Sequence, residues 1–303
     1  MSDIERVPVV ATIGNFDGVH LGHQELLREV VATARTLGVE SLCITFFPHP
    51  QQVLVPERAP LALTSLNERV SLIRELGVDG VLLVEFSRDL STLSAEAFLD
   101  LVQTRHRLVE LLVGPGFAIG RERSGTLPVI REIGARQGFA VHEVSPVAVH
   151  GEVVSSTRIR RLLGEGDVRL AAELLGRPYR LGGRVLPGAR RGRAIGFPTA
   201  NFRPPKERAL PAEGVYAVVA RVDGRAHPAV AHLGRRPTFG EDEVLLEAHL
   251  LDFHGDLYEK WLEVEFIERV RGTKRFDSVE DLRRQIVQDV EVARARILAW
   301  HLV

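Results

Sequence analysis

Gly14-Asn15-Phe16-Asp17-Gly18-Val19-His20-Leu21-Gly22-His23 follows directly on an apolar run, Val7 to Ile13, and opens a helical pattern that continues to about Leu37. Strand, glycine-bearing turn and helix in that order bring the free N–H groups and positive dipole end of the helix to the mouth of the strand, which suits phosphate. The glycines let the backbone turn tightly and approach a ligand closely. His20 and His23 lie three apart, so both imidazoles fall on one face of the first helical turn, placed to donate to a departing triphosphate. Taken alone, two histidines at this spacing are more often a satisfied surface pair. A zinc site would need a third ligand, and no thiolate or carboxylate motif nearby supplies one.

Outward from this stretch, strand-like and helix-like segments alternate. Val39 to Phe47, Val78 to Phe86, Leu108 to Val113 and Phe139 to Val144 read as strands; Thr64 to Leu76, Ala95 to Thr104 and Pro128 to Gln137 read as helices. Ser65 precedes Glu68 by three, the pattern of a capping box. Alternation of this kind predicts an α/β domain, a parallel sheet with helices on both faces and ligands beyond the carboxyl ends of its strands.

Near residue 176 the pattern changes. Gly176 to Gly196 is rich in glycine and arginine, and β-type runs follow at Gly214–Val222, Ala229–Leu233, Val244–Phe253 and Trp261–Val270. Ser278, three residues before Asp281, starts a long helical stretch to about Trp300 with apolar residues at 282, 286, 290, 293 and 297. The expected layout is therefore a first domain over 1–175 and a second over 176–303, mostly antiparallel and barrel-like, closed by a helix.

Composition sets the outer bounds. The 303 residues are 45% hydrophobic, enough for real cores, and 39 Lys plus Arg against 40 Asp plus Glu argue against a protein whose main task is gripping a nucleic-acid backbone. Cys43 is the one cysteine, within the apolar run Ser41 to Phe47, where a buried small hydrophobe is expected rather than a nucleophile. The N-terminus lacks the basic-then-apolar order of a signal peptide, and no apolar stretch reaches membrane-span length. A cytoplasmic protein is expected, monomeric or transiently oligomeric, with small-molecule partners and neither nucleic acid nor membrane.

Val154-Ser155-Ser156-Thr157-Arg158-Ile159-Arg160 is a second anion cradle, hydroxyls beside two guanidiniums at a helix start. Two phosphate-type sites in one α/β unit point to a nucleotide whose triphosphate is cut. Gly182 to Gly188 leads into Gly192 to Asn201, a glycine-rich turn able to wrap phosphate but lacking the Walker ending. Thr199 and Asn201, two apart, share a face if the chain is extended there. They are reasonable Mg²⁺ ligands, or part of an ordinary turn.

These motifs resemble those of the nucleotidylyltransferase superfamily, and more narrowly the prokaryotic bifunctional riboflavin kinase/FMN adenylyltransferase (FAD synthetase) family. Thr12 to His20 and Thr45-Phe46-Phe47-Pro48-His49-Pro50 match elements of its first domain. Gly196-Phe197-Pro198-Thr199-Ala200-Asn201, Gly234 to Phe239, Leu246 to Phe253 and Phe276-Asp277-Ser278 match its kinase domain in order. The resemblance implies a Rossmann-like nucleotidylyltransferase domain followed by a β-barrel kinase domain, with ATP, Mg²⁺ and riboflavin, FMN and FAD as ligands. It assigns Gly14, Asn15, Phe16, Asp17 and Gly22 to ATP, His20 and His23 to its phosphates, and Ser155, Ser156, Thr157 and Arg158 to the triphosphate. In the second domain it assigns Gly183, Gly188, Gly192, Gly196 and Pro198 to phosphate, Thr199 and Asn201 to metal, and Glu247 to the general base. Pro48, His49, Phe117, Arg271 and Phe276 would meet flavin.

The chain also departs from the family pattern. Gly114 to Gly120 carries Gly116 where Asn or Asp is usual and Ile119 where an aromatic is usual; Leu54 also replaces a common aromatic. Milder departures are His232 for Asn, His254 for an acidic residue and Glu259 for glycine. Two expectations follow. One is a full bifunctional enzyme; the alternative is a riboflavin kinase whose first domain is a weakened or altered-acceptor nucleotidylyltransferase. A flavin-binding regulator without turnover would not need His20, His23, Thr199, Asn201 and Glu247 together.

Overall fold

The computed structural model describes residues 6–187, 195–237 and 242–301, and the chain divides into two compact units, Met1–Ser156 and Thr157–Val303. In the first unit five strands, β1 (Val7–Ile13), β2 (Glu40–Phe47), β3 (Gly80–Glu85), β4 (His106–Val113) and β5 (Ala140–Glu143), form a sheet in the order β3-β2-β1-β4-β5. Every pairing in it is parallel. The helices α1 (Leu21–Leu37), α2 (Leu66–Glu75), α3 (Ala95–Gln103) and α4 (Leu127–Gln137) cover it.

Alternate residues of the central strand point to opposite faces, and each face has its own core. Val9, Ala11 and Ile13 meet Phe98 and Leu99 of α3 and Ile130 of α4; Val10 meets Leu27, Val30 and Val31 of α1 and Ile73 of α2. Burying each such side chain contributes about 1.5–3 kcal/mol, which explains why β1 is apolar at nearly every position. Cys43 is fully buried in the second layer, and burial pushes its thiol pKa up, so it packs as a hydrophobe. The capping box of α2 forms in both directions: Glu68 N donates to Ser65 Oγ (3.2 Å) and Ser65 N to the Glu68 carboxylate (2.6 Å).

The second unit opens within α5 (Ser156–Glu165) and continues with α6 (Val168–Leu175); the second of these was not expected from the sequence. Six antiparallel strands follow, β6 (Tyr179–Arg184), β7 (Ala200–Phe202), β8 (Gly214–Val222), β9 (Arg225–Pro237), β10 (Asp242–Leu250) and β11 (Trp261–Arg271), in the order β6-β11-β8-β9-β10-β7. This curled half-barrel is drawn together where Leu186, just beyond β6, bridges Asn201 of the opposite edge strand. The terminal helix α7 (Val279–His301) packs Ala293 and Ile297 on Val215, Ala217 and Val219, while Tyr216, between them in sequence, turns to the ring of Phe266. That double burial accounts for the nearly unbroken apolar run of β8.

Candidate active sites

β1 stands at the switch point of its sheet, with β2 on one side and β4 on the other. Segments leaving the carboxyl ends of these three strands therefore share one edge: Gly14–His23, Pro48–His49 and Gly114–Phe117. The loop after β1 is held by main-chain and side-chain bonds. Gly14 N donates to Ile44 O (3.0 Å), and Thr45 Oγ1 to Asn15 O (3.2 Å). Asp17 is buried, and its carboxylate accepts from Leu63 N (3.0 Å), Thr64 N (3.1 Å) and Thr64 Oγ1 (3.2 Å). Phe16 adopts φ 49° and buries its ring in the core beside α1. Asp17 and Phe16 thus shape the loop from behind, whereas the sequence resemblance assigned both to ATP.

His20 is the N-cap of α1, its Nδ1 accepting from His23 N at 3.3 Å, which leaves the proton of the neutral ring on Nε2. The two imidazoles stack with centroids 3.6 Å apart and planes 14° from parallel. Burial, then the neighbouring His20 and Arg69, holds His23 well below the usual histidine range, so its ring is neutral at pH 7. The Gly22 position faces the His20 ring at 3.3 Å and Val154 O at 3.9 Å, leaving little room for a side chain. Ser156 Oγ donates to Asp17 O at 2.8 Å, joining two motifs separated by 139 residues. Ser155 lies just before that contact; Thr157 and Arg158 occupy the first turn of α5 in the second unit. His49 caps the short helix Pro50–Leu54 through Nδ1, and Phe117 packs on the core of its sheet face.

In the second unit Thr199, Asn201, Glu247, His249, Arg271 and Phe276 line one cavity of about 760 Å³. Register places Asn201 of β7 opposite Glu247 of β10, which in turn faces His232 of β9. Asn201 Oδ1 is buried without a hydrogen-bond partner among the described residues. An orphaned amide oxygen beside the Thr199 hydroxyl is a hard-oxygen donor set, which fits Mg²⁺ shared with phosphate. His249 Nδ1 meets Pro198 O at 2.7 Å and its ring meets Phe197 edge-on. Arg271 forks onto the buried Asp289 of α7 (2.7 and 3.0 Å) with its guanidinium 5.7 Å from the Phe276 ring. Val279, Leu282 and Ile286, the first apolar positions of α7, complete that wall.

Other expected residues sit differently. Gly183 does not line the cavity; a Cβ there would lie 2.4 Å from the Phe202 ring, so packing requires the glycine. Gly196 has φ 90°, the left-handed backbone that glycine adopts without strain. Gly188 and Gly192 lie outside the described residues. Arg69, Asp289 and the His249–Pro198 contact were not anticipated. A signal for Arg69 was present, since it stands four before buried Ile73 and so shares its helix face.

Family models describe residues 3–158 as FAD synthetase and residues 175–297 as riboflavin kinase. The bifunctional riboflavin kinase/FMN adenylyltransferase of Pseudomonas fluorescens is 43% identical over 288 residues, 94% of this chain and 92% of that one. The protein of the same name from Escherichia coli K12 is 38% identical over 296 residues, 97% and 94% of the two chains. The chain belongs to the bifunctional riboflavin kinase/FMN adenylyltransferase family. A crystal structure described as a macrolide-efflux protein from Streptococcus pneumoniae shares the fold, with TM-score 0.89, 32% identity and 96% of each chain covered. Among the described residues of this chain, no helix is long and apolar enough to cross a membrane.

Within this family the expected weakening of the first domain is not favoured, and at Ile119 its physical premise fails. Ile119 is buried in the core with Phe98, Leu99 and Ile130, so it offers no surface on which a ring could stack. Gly116 has φ 67°, a left-handed backbone that glycine adopts freely and that Asn and Asp, the family's usual residues there, also tolerate. Leu54 ends the short helix capped by His49 and is 43% exposed. Glu259 adopts φ 61°, which explains why the family pattern has glycine there.

Proposed function

We propose that the chain phosphorylates riboflavin to FMN with ATP in residues 176–303 and adenylylates FMN to FAD, releasing pyrophosphate, in residues 1–175. The observation that carries the reading is the presence of both constellations on one chain: stacked His20 and His23 in a loop tied to Ser156, and Glu247 facing Asn201 in a cavity of about 760 Å³. Division of labour near residue 175/176 is supported by the riboflavin-kinase match, which starts at 175.

In the kinase unit Glu247 takes the proton of the ribityl terminal hydroxyl as that oxygen bonds the γ-phosphorus and ADP departs. Thr199 and Asn201 would hold Mg²⁺, which when bound would neutralise charge on the nucleotide phosphates. Gly196 and Pro198 bring main chain to those phosphates, and Arg271 and Phe276 receive the flavin. In the adenylylation unit an oxygen of the FMN phosphate bonds the α-phosphorus while the bond to pyrophosphate breaks. No side chain need act as nucleophile; alignment and charge neutralisation carry the step. His20 and the neutral His23 donate hydrogen bonds to the phosphates, beside the main chain of Gly14, Asn15 and Gly22. Ser155, Ser156, Thr157 and Arg158 are assigned to the triphosphate on the sequence signature. Pro48, His49 and Phe117 form the flavin side of that site. A cytoplasmic setting is supported by the single, buried cysteine, which fits a reducing compartment.

The test is product analysis after incubation with riboflavin, ATP and Mg²⁺. FMN followed by FAD is expected. FMN alone would favour the weakened first domain, and no flavin phosphate at all would overturn the reading.

A further inference from the structure

The carboxyl half of β10 carries Glu247 and, two residues on and so on the same face, His249. Both line the cavity, yet the phosphoryl transfer derived above uses only the first. Opposite them the β7–β10 ladder pairs Phe202 with Leu246, Asn201 with Glu247 and Ala200 with Ala248, and stops there. Asn201 is fixed by that ladder on one side and by Leu186 N, which donates to its carbonyl at 2.8 Å, on the other. Thr199 lies beyond the last paired residue, in an irregular segment. Among the described residues, the one hydrogen bond that residues 196–199 make outside the strand ladder joins Pro198 O to His249 Nδ1, at 2.7 Å. A carbonyl oxygen only accepts, so Nδ1 carries the proton and donates. Phe197 meets the same imidazole edge-on, with centroids 5.4 Å apart and planes 80° from parallel. His249 therefore holds the two residues directly before Thr199, one by a directional bond and one by a ring contact.

We propose that His249 is a positioning residue of the phosphorylation site: its Nδ1–H clamps Pro198 O and thereby fixes the Thr199 hydroxyl relative to Asn201 Oδ1 for Mg²⁺–nucleotide binding. The proposal rests on the kinase reading of this cavity. Mg²⁺ demands near-ideal octahedral geometry, so a ligand carried on an unpaired segment needs an anchor that its strand-borne partner does not. His249 acts through the loop, without contact to the transferred phosphoryl group. A ring kept only to pack on Phe197 would be served as well by phenylalanine, whereas a ring kept for its Nδ1–H would not.

The experiment compares three substitutions in the full chain. His249→Phe keeps an aromatic ring against Phe197 and removes the donor. His249→Asn removes the ring but sets an amide nitrogen the same number of bonds from Cα as Nδ1, and His249→Gln sets it one bond further out. Two quantities are read beside the thermal midpoint of the second unit. One is the Mg²⁺ concentration that half-saturates riboflavin phosphorylation, with kcat and the riboflavin KM. The other is the shift of the Thr199 methyl NMR signal on titration with ADP and Mg²⁺, which involves no turnover. For His249→Phe and His249→Gln, the Mg²⁺ requirement is expected to rise and the Thr199 response to weaken, each about tenfold, while kcat falls about 10- to 100-fold. The riboflavin KM should stay within a few-fold of the parent, and His249→Asn should stay within a few-fold in every quantity. Parental values in His249→Phe, or equal losses in His249→Asn and His249→Gln, would overturn the proposal. If His249→Phe does not fold, the contrast between His249→Asn and His249→Gln decides by the same rule. A Thr199 signal that ADP and Mg²⁺ leave unmoved in the parent would also overturn it. The Thr199 titration remains informative if the parent phosphorylates no riboflavin, an outcome that would count against the functional reading alone.

Discussion

In the first unit the functional side chains stand on loops and helix starts beyond the ends of parallel strands, and hydrogen bonds to main chain hold them there: Asp17 to Leu63 and Thr64, Ser156 to Asp17, His23 N to His20. In the second unit Asn201, Glu247 and Arg271 stand within strands, and the register of β7, β9 and β10 sets Asn201, Glu247 and His232 side by side. A loop-built site depends on side chains that never touch substrate. A strand-built site depends on backbone fit, so removing its working side chain leaves its geometry in place. The two units should therefore respond differently to the same kind of damage.

The largest effect is expected for Glu247→Gln. Loss of basicity should lower riboflavin phosphorylation about 10²–10⁴-fold, with the thermal midpoint and FMN-dependent FAD formation retained. A comparable loss of thermal stability would break the contrast, because Glu247 would then hold the sheet together. Asp17→Ala is the loop-built counterpart. Orphaning buried donors costs about 1–3 kcal/mol each, so denaturant unfolding of the first unit should shift by several kcal/mol and adenylylation should fall with it, while kinase activity persists. Gly183→Ala tests backbone fit in the second unit. Its Cβ would sit 2.4 Å from the Phe202 ring, and overpacking of this kind costs about 1–3 kcal/mol; kinase activity should decline only as the unit unfolds. Glu259→Gly should have the smallest effect, and of opposite sign. Relief of left-handed backbone at φ 61° is expected to stabilise the second unit by up to about 1 kcal/mol, read as a small rise in its thermal midpoint.

Much of this arrangement was legible in the sequence where local rules suffice. The glycine-bearing loop between β1 and α1 and the Ser65–Glu68 capping box follow from spacing, and the structure has both. That Thr199, Asn201 and Glu247 belong together came from the family resemblance, and the three line one cavity. Long-range contacts were not legible. Nothing in the run before Ser65 announces that Leu63 and Thr64 clamp Asp17 from 46 and 47 residues away. Ile119 looked like a lost stacking surface because a motif comparison gives the residue type without its direction, and it points into the core. Gly183 read as a phosphate glycine because only tertiary packing places the Phe202 ring over it. Arg69 reads as a solvent-facing helical arginine until the fold turns that face inward.

The central claim is that one chain carries two separable transfer sites, with His23 serving the first alone. The most direct test is a time course of His23→Ala supplied with riboflavin, ATP and Mg²⁺, with FMN and FAD resolved. The expected result is FMN accumulating at the parental rate while FAD formation collapses. FAD appearing at the parental rate, or FMN formation disappearing together with it in a folded protein, would contradict the account.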